Sequence, residues 1–485
     1  METALELSVE AMHTGLTRVF GHIFPDFESL QRVERLSGGA SQETYRIELT
    51  RGSGSTVLAM RRASGGVEGD ITAAHPGLAV EALLMHTAAE AGVPEPEVHY
   101  VLRPEDGIGA GFIMQWLDGF TLGAQIVKTP ELADIRPQLA RRCGEVLAQI
   151  HGIDLVASGL DQRLQQQTAE EYVRQTWQRY QDFNTPQPMI DYTARWLLDH
   201  LPENATPALV HNDFRNGNIM VDPSGIVAVL DWEVAYIGDP MRDLGWILTH
   251  SWRFGRDHLP VGGFGEVADL FAGYESVSGK AVDRESVKFW QVFGSFWWAV
   301  GCLGMAEHYR NGPDKTVERP AIGRRSSECQ VDCVNLLIPG SVALEKPVKA
   351  AAAMPAMEEL LTSVSDFLRD EVMAHTQGRL QFLARVAANS LDIVQREQAL
   401  ATPGLVNEEQ RLKELFAGTD DSPLGLDDLR WRLVHALRDG SMPLDSELLQ
   451  GHLRASVVNQ IAIDQPRYAG FKTATNGAKT ETVGD

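Results

Sequence analysis

His211-Asn212-Asp213-Phe214-Arg215-Asn216-Gly217-Asn218 is followed, thirteen residues after Asn218, by Asp231-Trp232-Glu233. That spacing constrains both fold and chemistry. Ile219-Met220-Val221 and Ile226-Val227-Ala228-Val229-Leu230 read as two short strands, and Asp222-Pro223-Ser224-Gly225 between them reads as a turn. A hairpin of this length returns Asp231 to the side of Asn218. Asp213 can then accept the proton of an attacking hydroxyl, while Asn218 and Asp231 offer hard oxygens to a cation carried in on nucleotide phosphates. A lone polar loop before a strand-ending Asp would be ordinary. With His211, the hairpin and the distal Asp in one register, a reaction centre is the better reading.

The H-x-D-x-x-x-x-N pattern with a distal Asp is that of kinase catalytic loops. Its details resemble the aminoglycoside phosphotransferase/choline kinase superfamily and not the protein kinases. Asp231 is followed by Trp232-Glu233 where a protein kinase has Phe-Gly. Gly238-Asp239-Pro240-Met241-Arg242-Asp243-Leu244 is similar to the G-D-P-x-x-D-L segment of small-molecule kinases, and no A-P-E segment follows. The resemblance covers about two thirds of the chain. It implies an α+β, bilobal protein-kinase-like fold, with a small antiparallel β lobe, a larger, mainly helical lobe, and an all-α domain behind them. It also implies ATP and Mg2+ as cofactors and a small-molecule hydroxyl as acceptor.

Leu36-Ser37-Gly38-Gly39-Ala40-Ser41-Gln42 reads as a strand entering a glycine turn. Gly38 and Gly39 let backbone N–H groups approach a phosphate, and Ser41 adds a hydroxyl. On the next strand, Val57-Leu58-Ala59-Met60-Arg61-Arg62, a kinase fold needs a cation for the nucleotide phosphates. No lysine precedes Lys128, so an arginine must serve. The small residue over the adenine and the phosphate-binding cation lie two apart on one strand face, which selects Ala59 with Arg61 over Met60 with Arg62. Arg62 is then expected at a solvent-facing strand end. Glu81, on an apolar-periodic helix over 79–91, is the candidate partner of Arg61. Val98–Leu102 and Gly111–Met114 make a strand pair. Gln115-Trp116-Leu117-Asp118-Gly119 resembles the interlobe hinge, with backbone groups of Gln115 and Leu117 facing the base.

Helices are expected over 139–150, over 169–201 with a break at Asn184-Thr185-Pro186-Gln187-Pro188, and over 289–309. His211 is expected to brace the loop backbone, and Asp243 to do the same. Arg215 is a catalytic candidate that contacts either the transferring phosphoryl group or the acceptor, with a loop-stabilising ion pair as the equal alternative. The boundaries expected are a nucleotide-binding lobe at 1–117, a catalytic lobe at 118–338, a linker at 339–353, a helical accessory domain at 354–471 and a disordered tail at 472–485. In the accessory segment Arg379, Arg385, Asn389 and Arg396 recur at near-helical spacing, as a buried polar network or a docking face.

A net charge of −23 argues against nucleic-acid or anionic-membrane partners. Four scattered cysteines make no disulfide scaffold, and Cys329 with Cys333, one helical turn apart, lacks a second pair to complete a metal site. The apolar run from Val292 to Ala306 is shorter than a bilayer span, and no secretory signal is visible, so a cytoplasmic protein is expected. The H-x-D-F-R-x-G-N variant, the arginine in place of lysine and the helical C-terminal module resemble the branch of kinase domains fused to acyl-CoA dehydrogenases. That resemblance implies phosphorylation of a hydroxyacyl-CoA or related hydroxy acid, a CoA thioester being the acceptor. An aminoglycoside acceptor is the alternative. A pseudokinase-like scaffold that recruits an acyl-CoA dehydrogenase is the reading from a different class, and a homodimer or an acyl-CoA dehydrogenase partner is the assembly expected.

Overall fold

The computed structural model describes residues 8–36, 42–52, 54–72, 75–203, 205–348, 354–417 and 424–476. The chain divides into two compact units. One comprises Met1–Thr168, Asn204–Leu248 and Trp252–Asp283; the other comprises Ala169–Glu203, Thr249–Ser251 and Arg284–Asp485.

The first unit begins with helix Val9–Ile23, which sequence periodicity did not single out; Ser8 caps it by accepting from the Ala11 N–H. Five strands follow: β1 (Phe27–Leu36), β2 (Gln42–Arg51), β3 (Gly54–Ala63), β4 (Val98–Val101) and β5 (Gly111–Gln115). They form one antiparallel sheet in the order β1-β2-β3-β5-β4. Alternation along β3 sorts its side chains. Leu58 and Met60 join Ile47, Leu49 and the Leu16, Val19 and Phe20 face of the helix in one apolar core, so Ala59 and Arg61 turn to the opposite face.

The same alternation corrects the expectation for Arg62. It is 2% exposed, not solvent-facing, because the face it shares with Met60 is covered. Its guanidinium pairs with Glu43 and its Nε donates to the Ile108 carbonyl at 2.6 Å.

The remaining strands of this unit are β6 (Ala208–Val210), β7 (Ile219–Asp222), β8 (Gly225–Val229) and β9 (Tyr236–Gly238). β7 and β8 form the expected hairpin, and β6 pairs with β9. Helices Leu139–His151 and Val267–Ser278 pack behind them at close range. A Cβ on Gly144 would fall 2.0 Å from the Leu270 carbonyl, so only glycine admits this approach. The contact fixes the end of the first helix, where His151 reaches Asp243.

The second unit is all helical among its described residues. Helix Ser326–Leu337 is its axis: ten of its twelve residues are buried, Val331, Cys333 and Val334 in a core shared with Leu429, Leu433, Leu453 and Val458. The helices before and after 339–353 therefore share one apolar core, and the division by compactness falls elsewhere than at the expected linker. Residues 341–348 are stitched down rather than free: Glu345 N donates to Asn459 Oδ1 at 2.8 Å and Val348 N to the Ala399 carbonyl at 2.9 Å. That carbonyl is available because Pro403, inside helix Gly378–Leu415, has no N–H to give it. Arg396 caps helix Glu447–Asp464 by donating to the Ile463 carbonyl at 2.5 Å. Arg379 pairs with Glu318, and the Arg385 guanidinium lies over Phe382. The expected tail is corrected in part: helix Ala469–Asn476 continues past 472, with Ala474 buried and its carbonyl accepting from Arg454 at 2.7 Å. All four cysteines are buried and free.

Candidate active site

The hairpin delivers what its length requires. Ile219 pairs with Val229, and Leu230 N donates to the Asn218 carbonyl at 2.7 Å, so Asn218 and Asp231 flank the open end. Asp231 adopts a left-handed backbone, φ 71°. Asp tolerates this region better than most residues, but the conformation still costs energy and marks a site where geometry is imposed.

Asp213 lies in a cradle of donors. Its Oδ1 accepts from Arg215 Nε at 3.0 Å and Trp246 Nε1 at 2.7 Å; its Oδ2 accepts from Arg215 Nη2 at 3.2 Å and Asn218 Nδ2 at 2.5 Å. The Arg215 contact is thus bidentate, and its guanidinium also stacks over Trp252, 4.3 Å from the ring centroid. Of the alternatives for Arg215, the structure shows the loop-stabilising ion pair, made to Asp213.

Beneath the loop, His211 and Asp243 brace the backbone. Asp243, fully buried, accepts from His211 N at 2.8 Å, Asn212 N at 2.7 Å and His151 Nε2 at 3.1 Å. Burial pushes its carboxyl upward, but the His151 hydrogen bond and the neighbouring imidazoles outweigh that and hold it below the usual range. His211 Nδ1 accepts the Asp213 N–H at 3.2 Å while Nε2 donates to the Leu230 carbonyl at 3.1 Å, which assigns the Nε2–H tautomer. Burial lowers its pKa, so this imidazole is neutral and positions the loop.

Arg61 reaches toward the same hairpin. Its guanidinium meets Glu81 Oε1 at 3.0 Å, Asp231 Oδ1 at 2.5 Å and Glu233 Oε2 at 3.9 Å, and its Nε donates to Gln42. Glu81 is 2% exposed. Burial, with Asp231 and Glu233 nearby, pushes its carboxyl up to about 7 against the pull of Arg61, while Arg61 itself is raised. The two directions disagree for a simple ion pair; one cation facing three carboxylates accounts for both. Ala59 is buried one position along the same face.

At the hinge, Gln115 N donates to the Glu97 carbonyl at 2.8 Å. Leu117 is half-buried two residues on. Gly38, Gly39 and Ser41 lie outside the described residues. Three residues escaped sequence reasoning. Gln42 and Glu233 bridge each other at 3.2 Å beside Arg61, and Trp246 holds Asp213. A signal existed for two of them: Glu233 alternates with Asp231, and Trp246 lies one helical turn beyond Asp243.

Residues 32–279 match the phosphotransferase enzyme family. The chain belongs to that family. Residues 374–468 match a domain of unknown function, DUF6285. Mouse acyl-CoA dehydrogenase family member 10 is 32% identical over 217 residues, 43% of this chain and 19% of that protein. Arabidopsis thaliana IBR3, named as a probable acyl-CoA dehydrogenase, is 23% identical over 390 residues, 74% of this chain and 46% of that protein. The chain thus spans less than half the length of these curated relatives. A provisionally assigned aminoglycoside phosphotransferase of Ralstonia eutropha superposes with a TM-score of 0.53 over 65% of this chain and 95% of its own, at 23% identity, a likeness of fold. No helix among the described residues is long and apolar enough to cross a membrane.

Proposed function

We propose that this phosphotransferase moves the γ-phosphoryl group of ATP to the hydroxyl of a hydroxyacyl-CoA or related hydroxy acid. The observation that carries the reading is the convergence of Asp213, Asn218, Asp231 and Arg61 on one hairpin mouth. Asp213 takes the hydroxyl proton as the phosphoryl group transfers. Arg215, Trp246 and Asn218 hold its carboxylate in place, so little reorganisation accompanies the step. Arg61, oriented by Glu81, carries the nucleotide phosphates, and its Gln42 contact ties β3 to the start of β2. Arg215 places a second positive charge beside the transferring group.

Asn218 and Asp231 would hold magnesium. Among the described residues no side chain donates to the Asn218 amide oxygen, and Asp231 keeps one oxygen clear of Arg61. Two hard oxygens suit an ion that takes one or two protein ligands and fills its shell with phosphate and water. When bound, magnesium neutralises charge on the phosphate oxygens.

The acyl-CoA acceptor is supported by the names of the curated relatives. The test is purified protein with ATP and magnesium against hydroxyacyl-CoAs, free hydroxy acids and aminoglycosides. Preferred turnover of a hydroxyacyl-CoA supports the assignment. Turnover confined to aminoglycosides replaces the acceptor and keeps the chemistry.

A further inference from the structure

The second unit contains a cavity of about 500 Å³, walled by helices Gly378–Leu415, Leu426–Arg438 and Glu447–Asp464. Its volume falls within the range of small-molecule sites. Neither the catalytic residues nor the first unit contributes to it.

The charges on its wall are unequally satisfied. Glu408 forms a fork with Arg430 at 2.9 and 2.6 Å, Glu397 pairs with Arg324 at 2.6 Å, and Glu345 accepts from Asn407 at 2.8 Å. Arg411 differs. Among the described residues no carboxylate lies within ion-pair distance of it; one Nη donates to Ser456 at 3.3 Å, and its buried Nε has no acceptor. Burial depresses its pKa, the mark of a cation given less compensation than its site demands. Beside it, His452 is 2% exposed and its Nδ1 has no partner. Buried polar atoms are nearly always bonded, so two orphans on one cavity wall ask for a common explanation. The rest of the wall is mixed: Gln187, Gln330 and Asn459 line it beside the paired carboxylates, while Leu400, Leu405 and Val457 give it an apolar strip.

We propose that this cavity is a second ligand site, which binds an amphipathic carboxylate: the acid group meets the free edge of Arg411, with His452 beside it, and the apolar body lies along Leu400, Leu405 and Val457. An arginine fork matches a carboxylate in plane, and the strip of Leu400, Leu405 and Val457 favours an acid with an apolar body over an inorganic anion. The proposal does not rest on the phosphotransfer reading.

Decanoate and inorganic phosphate serve as probes for calorimetric titration of the full chain. Decanoate binds saturably at one site and phosphate does not. Arg411→Gln, which keeps a donor for Ser456, weakens decanoate at least tenfold. Gly404→Leu is the second variant. A Cβ at Gly404 meets only Glu345, at 3.9 Å, so the added side chain enters the cavity while leucine favours the helix more than glycine. It abolishes decanoate binding with the melting temperature preserved. No binding of decanoate to the native chain, equal affinity in both variants, or phosphate bound in place of decanoate each overturns the proposal.

Discussion

Arg61 and Arg62 are adjacent on β3, yet their loss should register in different assays. Arg62 is 2% exposed and Glu43 6%, so Arg62→Ala strands a carboxylate inside the small lobe. Removing one partner of a buried ion pair costs about 3–5 kcal/mol. The Ile108 carbonyl also loses its donor, at about 1 kcal/mol. Against this, Glu43 keeps the Tyr45 hydroxyl at 2.9 Å and Arg35 at 3.3 Å, but Arg35 is 61% exposed, and such a partner returns at most about 1 kcal/mol. The net is about 3–5 kcal/mol, which lowers the melting temperature by roughly 6–20 °C for a domain of this size. The ATP KM of Arg62→Ala, measured well below its melting point, should match the native value. Arg61→Ala should instead raise the ATP KM and lower kcat together, and Arg61→Lys should keep part of both, since charge survives while the fork is lost. An apolar double variant, Arg62→Met with Glu43→Leu, should recover most of the lost stability. A melting temperature within 2 °C of native for Arg62→Ala, or a raised ATP KM in that variant, would refute the reasoning.

Trp246→Phe removes one donor from Asp213 and keeps the ring; kcat should fall roughly 10- to 100-fold, the value of one hydrogen bond to a charged group, with the ATP KM unchanged. Equal falls in kcat and ATP affinity would mean a general loosening of the loop. Asp231→Ala should remove the magnesium dependence of ATP binding, and a native magnesium titration in that variant would take Asp231 out of the metal site. His452 carries a pH prediction. Burial, then the charges of Arg411 and Arg430, push its pKa down to about 3, so the unfolded chain takes up the proton first. Its contribution to stability is therefore fully present above about 6.5 and is lost as pH falls toward about 3. Denaturant midpoints across that window should fall less steeply for His452→Gln than for the native chain; parallel slopes would show that the imidazole titrates normally.

The parts of this site that follow from local spacing were legible in the sequence. Asn218 and Asp231 meet because a four-residue strand, a tight turn and a five-residue strand leave them nowhere else to go. Arg61 was separable from Arg62 by strand alternation alone. Arg62 was misplaced because alternation names a face without saying what covers it, and helix Val9–Ile23 carried no motif to announce itself. Trp246 was missed for a related reason. Its indole reaches Asp213 across a loop, and an aromatic at a helical position is more often packing than function. In the second unit, Pro347 and the alanine run suggested a free linker. The Glu345 and Val348 hydrogen bonds that hold part of it depend on partners more than fifty residues away.

The central claim is that Asp213 is the base of an ATP-dependent transfer. Single-turnover transfer of γ-labelled phosphoryl from ATP to the best acceptor, compared between the native chain and Asp213→Asn, tests it most directly. The account predicts that the variant binds ATP with native affinity and transfers about 10²- to 10⁴-fold more slowly. Transfer at the native rate by Asp213→Asn would contradict it.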